Sequence, residues 1–294
     1  MLKMLNTLLL LIGLLFTAQS AAFFSYPLID TKLTEPPKII ALSPHIVELL
    51  FELGAGEQII GTTDFADYPA QALDIERVGN AMNLKLEKIV AMQPDLIIAW
   101  QSGNPSQDLA KLKKLGFKVI YSQPDTFREL AQEIETFGKI TGHARQGKLL
   151  SKVLLTKLEA LERQYSNKQS VNVFYEVWHQ PLTTIAKNAW PQHHLNICNA
   201  NNPFANAPLD YPQVSTEALI GKNIHAIVQP KAPNKSQREF FNWSMYKNLE
   251  AVENNLFIHP NADALHRMTM RSLDEVARLC ASLDQVRSFY YTSD

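Results

Sequence analysis

"KIIALSPHIVELLFELGAGEQIIGTT", residues 38–63, holds the unit from which the chain is built. The apolar run Ile39–Leu42 is short and ends at Ser43 and Pro44, so it reads as a buried strand. "PHIVELLFELGAG" reads as a helix, with Pro44 suited to the first turn and Gly54 and Gly56 near its end. "QIIGTT" starts a second strand. Strand, helix and strand joined by short connections make a βαβ unit, and a parallel sheet follows from it.

The same alternation continues outward. "KLEKIVAMQP" is a short helix stopped by Pro94, and "DLIIAW" is a strand ending at Trp100. "PSQDLAKLKKLG" is a helix closed by Gly116, "FKVIYS" a strand and "TFRELAQEIETFGKITG" a helix. From His143 to Tyr165 a long polar-faced helix carries Leu150, Leu154, Leu158 and Leu161 at spacings of three and four. After it the pattern restarts: strand "SVNVFYEVW", helix "HLNICNAN", short helix "STEALIG", strands "IHAIVQP" and "NLFIHP", and the closing helix "SLDEVARLCASLDQVRSFYY". Residues 230–247 read as mixed loop and turn. "LEKIVAMQPDLIIA" in the first half is echoed by "TEALIGKNIHAIVQ" in the second. The expected fold class is α/β: two Rossmann-like lobes with mostly parallel sheets, joined by one long spine helix. The expected boundaries are 22–142 for the first lobe, 143–166 for the spine and 167–294 for the second lobe.

Residues 1–21 have the three-part pattern of a secretory signal peptide: Lys3, an apolar run from Leu8 to Phe16, then small and polar residues. Export to the periplasm is therefore expected. No later segment is long and apolar enough to span a membrane. The formal net charge of -1 lacks the concentrated basic surface that nucleic acids require. The two cysteines, Cys198 and Cys280, both lie in the exported part, which favours a disulfide; two separate buried thiols are the alternative.

Signatures of catalysis are missing. There is no GxSxG, Walker motif or CxxC, and "GAGEQI" lacks a third glycine and follows a helix. His193 and His194 are adjacent, so on a helix they do not face the same way. His45 is better placed, just after a strand end, where open α/β sheets bind ligands. The recurring feature is aromatic. Phe65, Trp100, Trp178 and Tyr211 all follow strand ends or lie in the next loops, two in each half. Together they predict a cleft lined by flat apolar surfaces.

"IIALSPHIVELLFELGAGEQIIGTTDFADYPAQA", "LEKIVAMQPDLIIAWQSGN", "DYPQVSTEAL" and "ARLCASLDQV" resemble the helical-backbone, or class III, substrate-binding proteins of ABC importers. The likeness spans residues 38–287 and is strongest to the cobalamin-binding members. It implies two lobes around a ligand, with His143 to Tyr165 as the spine. It implies that Trp100, Phe65 and Tyr211 lie against the corrin, that Asp263 is an acidic ligand contact and that Arg267 lies nearby. Glu87 and Glu217 read alone as solvated carboxylates at helix starts. The resemblance makes them paired docking acids, one per lobe, for the importer's two transmembrane subunits. There are departures. Ala81 stands where the cobalamin-binding members have a second cleft tryptophan. His45 replaces an asparagine, Pro44 an alanine, and Trp178 lies where they have no tryptophan.

The implied function is capture of cobalamin, or a related corrinoid, by a monomer that delivers it to an inner-membrane ABC permease and its ATPase. No enzymatic activity, resident cofactor or protein-held metal is expected, and cobalamin would be cargo. His45 offers an imidazole to the ligand's cobalt. Two other readings stand beside this one. The same fold could take haem, through His45 or Tyr211, or an iron–siderophore. An exported hydrolase would use His45 with Asp64 or Asp67.

Overall fold

The structure is a computed structural model and describes residues 35–232 and 240–291 of the chain. The segment read as a signal peptide lies outside the described residues. The first half holds β1 (Ile39–Ala41), α1 (Pro44–Glu52), β2 (Ile59–Thr62), the short strands β3 (Gly79–Asn80) and β4 (Asn83–Leu84), α2 (Leu86–Met92), β5 (Leu96–Trp100), α3 (Ser106–Lys114), β6 (Val119–Ser122) and α4 (Phe127–Ile140). The long helix α5 is Ala144–Tyr165. The second half holds β7 (Val171–Tyr175), β8 (Trp178–His179), β9 (Leu182–Thr183), α6 (Trp190–Ile197), β10 (Ala200–Asn201), β11 (Ala226–Val228), α7 (Glu250–Glu253), β12 (Phe257–Ile258), α8 (Ala262–Leu265) and α9 (Met270–Tyr291).

Two four-stranded sheets run in the orders β2-β1-β5-β6 and β10-β7-β11-β12. Every pairing within them is parallel. The expected α/β class, with its two parallel sheets and long connecting helix, is what the chain forms. β1 and β5 are covered on both faces, and so they are apolar throughout and do not alternate. Thr126 and Glu129 close a reciprocal capping box at the start of α4. α4 and α5 cross at Gly138 and Gly147, where a Cβ on Gly138 would lie 2.9 Å from the Gly147 Cα. Only glycine permits that approach. Leu154, Leu158 and Leu161 of α5 are buried in a single core that runs from β1 through α4, β7 and α6 to α9. Smaller cores lie under the outer face of each sheet.

Two local readings are corrected. "HLNICNAN" does not stay helical: α6 ends at Ile197, Asn199 takes a left-handed φ of 49°, and Ala200–Asn201 joins β7 as a strand. A left-handed asparagine is a common way to end a helix. "STEALIG" shrinks to one 3-10 turn, Glu217–Leu219, before Gly221 turns the chain. The hairpins β3–β4 and β8–β9 were not anticipated, because two-residue strands carry no periodic signal. Cys198, at the end of α6, and Cys280, on α9, form a disulfide within the second half. Among the described residues no helix is long and apolar enough to cross a membrane.

Candidate functional site

All strands of a parallel sheet end on the same side, so the loops that follow them gather there. The two gatherings meet. Arg267 and Arg271, from beyond β12, reach α1 and the loop after β2, and Phe127, beyond β6, packs on Trp190 with ring centroids 4.8 Å apart. The candidate site is the cleft between these loops.

Three of the four expected aromatics are displayed. Phe65 is 65% exposed, Trp178 52% and Tyr211 49%, whereas the core tryptophans Trp190 and Trp243 are 7% and 4% exposed. Phe65 follows β2 with a left-handed φ of 67°, an unusual conformation for an aromatic residue. Trp178 sits on the β8–β9 hairpin, where its indole N–H donates to the Gln180 carbonyl at 2.9 Å. Burial raises the Tyr211 phenol pKa above its usual value, and the carboxylates of Asp210 and Asp125 add to the effect. Asp125 belongs to the first half, so the charge of one half is felt at Tyr211 in the other.

Trp100 is different. It is half-buried, packs against the main core and folds over its own loop, so that a Cβ on Gly103 would overlap the indole. Its backbone N–H donates to Asn104 Oδ1 at 2.7 Å, and Asn104 Nδ2 donates to the Leu42 carbonyl at 2.9 Å, which pins the loop to the end of β1. The indole N–H is shut off from solvent and has no acceptor among the described residues. Trp100 therefore caps the core and is fixed in place over its own loop.

His45 does not line the cleft as a ligand. It is 3% exposed and both ring nitrogens are engaged, Nδ1 with Ser43 Oγ at 2.7 Å and Nε2 with Ser122 Oγ at 2.9 Å. Ser122 Oγ donates its own proton to Glu133 at 2.6 Å, so His45 Nε2 carries the hydrogen and Ser43 donates to Nδ1. Burial, helped by the charge of Arg267, lowers the His45 pKa to about 3. No lone pair remains for cobalt or iron. Asp64 and Asp67 are not its partners, which also removes the hydrolase pairing. Pro44 is half-buried at the first turn of α1.

Arg267 is committed to ion pairs. Its Nη1 donates to Glu48 Oε1 at 2.7 Å, while Nη2 lies 2.8 Å from Asp67, 3.2 Å from the Phe65 carbonyl and 3.8 Å from Asp263. Arg271 grips the same Glu48 through Nε and Nη2, both at 2.7 Å, and its guanidinium lies 4.1 Å from the Tyr68 ring centroid. The likeness placed Arg267 beside a ligand; the structure makes it a bridge between halves. Glu48 gave no sequence signal. One turn along, burial and then the Glu48 charge push the Glu52 pKa up to about 8, against the pull of Arg271. Asp263 lies half-buried in the first turn of α8, and Glu87 and Glu217 are exposed.

His194 is fully buried, has no partner for either nitrogen among the described residues, and packs on Trp190 and Phe127. It is a core residue. No group of three His, Cys, Asp or Glu among the described residues converges as a metal site.

A family model described as periplasmic binding protein matches residues 39–264. A vitamin B12-binding protein of Vibrio cholerae is 36% identical over 250 residues, covering 84% of this chain and 88% of the relative. Its counterpart in Vibrio parahaemolyticus is 34% identical over 269 residues, covering 89% and 96%. Among solved structures, the periplasmic vitamin B12 binding protein BtuF of Vibrio cholerae matches with a TM-score of 0.77 at 34% identity, over 86% of this chain and 98% of that one. The periplasmic haem-binding protein BhuT matches with a TM-score of 0.75, but at 16% identity the likeness is one of fold alone.

Proposed function

The chain belongs to the periplasmic binding protein family, and from that premise we propose that it captures cobalamin or a related corrinoid between its lobes and delivers it to an inner-membrane ABC importer. The observation that carries this reading is the set of displayed aromatics at the carboxyl ends of both sheets. Phe65 and the half-buried Trp100 come from one half, and Trp178 and Tyr211 from the other. A large flat ring with polar edges suits such walls, and each aromatic can bury about 150–250 Å². The names of the Vibrio relatives support the same ligand.

The rival ligands fit less well. Haem wants an axial His or Tyr. His45 is spent, and the raised pKa of Tyr211 opposes the phenolate. Anionic siderophores want free cationic side chains, and Arg267 and Arg271 are already paired. On this reading the protein does no chemistry on its cargo, holds no resident cofactor and acts as a periplasmic monomer, with the N-terminal segment serving as its export signal. Asp263 supplies a polar contact at the rim. Glu87 and Glu217 meet the permease, one from each lobe, and the importer's ATPase drives release.

Calorimetric titration decides between the ligands. Cyanocobalamin should bind one per chain with quenching of tryptophan fluorescence, while haemin and ferric hydroxamates should bind far more weakly. Saturable haemin binding with no cyanocobalamin uptake would overturn the corrinoid reading.

A further inference from the structure

Glu48 lies on α1 with a side chain that is 0% solvent-exposed, yet both of its carboxylate oxygens are held from the other half of the molecule. A bare carboxylate at that depth is far more costly than a paired one, so the two arginines must stay close. The same arginines hold the loop after β2. Arg267 takes the Phe65 carbonyl and the Asp67 carboxylate, and Arg271 covers Tyr68. The first half itself anchors other parts of this loop, through the Asp64 N–H to the Gly79 carbonyl and Arg77 to the Ala66 carbonyl.

The contact at Phe65 falls on a backbone that resists its own shape. A left-handed φ of 67° crowds the Cβ of an aromatic residue, and such a conformation persists where its surroundings hold it. Here the hydrogen bond to its carbonyl comes from across the cleft.

We propose that Glu48, Arg267 and Arg271 form an interlobe latch that holds Phe65 in its displayed conformation, so that one aromatic wall of the cleft exists only while the lobes are apposed. Arg267 is then a positioning residue for Phe65. Spreading the lobes rehydrates Glu48, withdraws the arginines and frees Phe65 to leave the ligand face. Opening and release become one event. The effect on ligand rests on the corrinoid reading; the grip on the loop does not.

Two arms test this on the full chain. Replacing Arg267 alone strands the buried carboxylate of Glu48 and risks misfolding, so the variant used is Glu48→Gln with Arg267→Gln, which removes that carboxylate and takes latch partners only from the solvent-accessible Arg271 and Asp67. In ligand-free protein, hydrogen exchange of residues 63–69 should quicken by about tenfold while the amides of β1 and β5 keep their protection. Unchanged exchange in this folded variant would overturn the latch. In the second arm, Phe65→Ala should weaken cyanocobalamin binding by roughly tenfold in the wild-type background and by less than about twofold in the latch-free background. Equal losses in both backgrounds would show that Phe65 does not depend on the latch. If wild-type protein binds no cyanocobalamin, the corrinoid reading fails and the exchange arm decides the latch by itself.

Discussion

In the first sheet, β1 pairs with β2 and β5, and β6 lies outside β5; in the second, β7 pairs with β10 and β11, and β12 lies outside β11. The winding is the same, and it puts the ligand-side loops at matching places in both lobes. What differs is how each is braced. The first lobe has strands of three to five residues in its sheet and is covered by α1, α3 and α4, of nine, nine and fourteen residues. In the second, β10 and β12 have two residues each, and α7 and α8 have four. Only the second lobe has a disulfide. Equivalent winding therefore does not mean equivalent stability. The first lobe is held by packing alone; the second, whose sheet-edge strands and connecting helices are shorter, adds a covalent clamp to its packing.

The largest effect expected from this contrast is loss of the clamp. Cys198 and Cys280 are 82 residues apart in sequence. Closing a loop of that size stabilises by about 4–5 kcal/mol in the chain-entropy model. Cys198→Ala with Cys280→Ala should lower the unfolding free energy by about 2–5 kcal/mol. Hydrogen exchange should rise first in β7, β10 and β11, leaving β1 and β5 protected. Equal loosening of both sheets would refute the idea that the lobes are braced separately.

Next in size is the face of Trp100. Trp100→Ala should weaken cyanocobalamin binding by about 1–3 kcal/mol, the worth of a large aromatic surface. Gly103→Val should act in the same direction, because the new side chain displaces the indole. Tyr211→Ala, on the more loosely built lobe, should cost less, since an exposed ring on a loop gives up more freedom on binding. A Trp100→Ala protein that is strongly destabilised yet binds normally would make Trp100 a core residue alone.

The contrast also marks what the sequence could tell. β1, β5 and α5 were legible because their side-chain pattern is local: an unbroken apolar run, or leucines at helical spacing. The displayed aromatics were legible because strand ends are. The latch was not. Glu48 lies 219 residues from Arg267 and 223 from Arg271, and nothing near Glu48 distinguishes it from a surface acid on an amphipathic helix. His45 misled for the same reason. Its position at a strand end suggested a ligand, but its fate was set by Ser122, 77 residues away, which takes its Nε2 hydrogen. The short elements of the second lobe were lost because two-residue strands and single turns carry no periodic signal.

A smaller effect separates the lobes by pH. The folded Glu52 pKa of about 8 lies above its ordinary value, so the folded state binds the proton more tightly than the unfolded chain, and stability falls as pH rises from about 4.5 to 8. His45 works in the opposite range. Its pKa of about 3 in the fold means that stability falls as pH drops below 6.5. His194, also lowered by burial, gives the second lobe the same acid sensitivity. The loss between pH 4.5 and 8 therefore belongs to the first lobe, where Glu133, raised by burial to about 7, adds to that of Glu52. Glu52→Gln should raise the Tm at pH 8 by about 2–4 °C, equivalent to roughly 1 kcal/mol, and leave it unchanged at pH 4.5. A rise of the same size at both pH values would mean that packing, not titration, is responsible.

The smallest effect on the fold is expected where the lobes are proposed to act as a pair. Glu87 lies in the first turn of α2, and Glu217 on a single 3-10 turn, both exposed. The pKa of Glu217 is lowered by its own backbone N–H and by the hydroxyls of Ser215 and Thr216, which keeps it charged over a wide pH range. Surface charges of this kind contribute within about 0.5 kcal/mol to stability. Glu87→Arg with Glu217→Arg should therefore leave the Tm and the cyanocobalamin Kd close to wild type. The same pair should sharply reduce ligand uptake and importer-stimulated ATP hydrolysis, because rim charges govern encounter and register more than the fold. Wild-type association should weaken with added salt for the same reason. One acid on each like-wound lobe suits a partner with two-fold symmetry, so each single reversal should produce part of the defect. If one reversal produces all of it, the lobes dock unequally despite their matched winding, and normal uptake by the double variant would return both glutamates to the role of solvated surface charges.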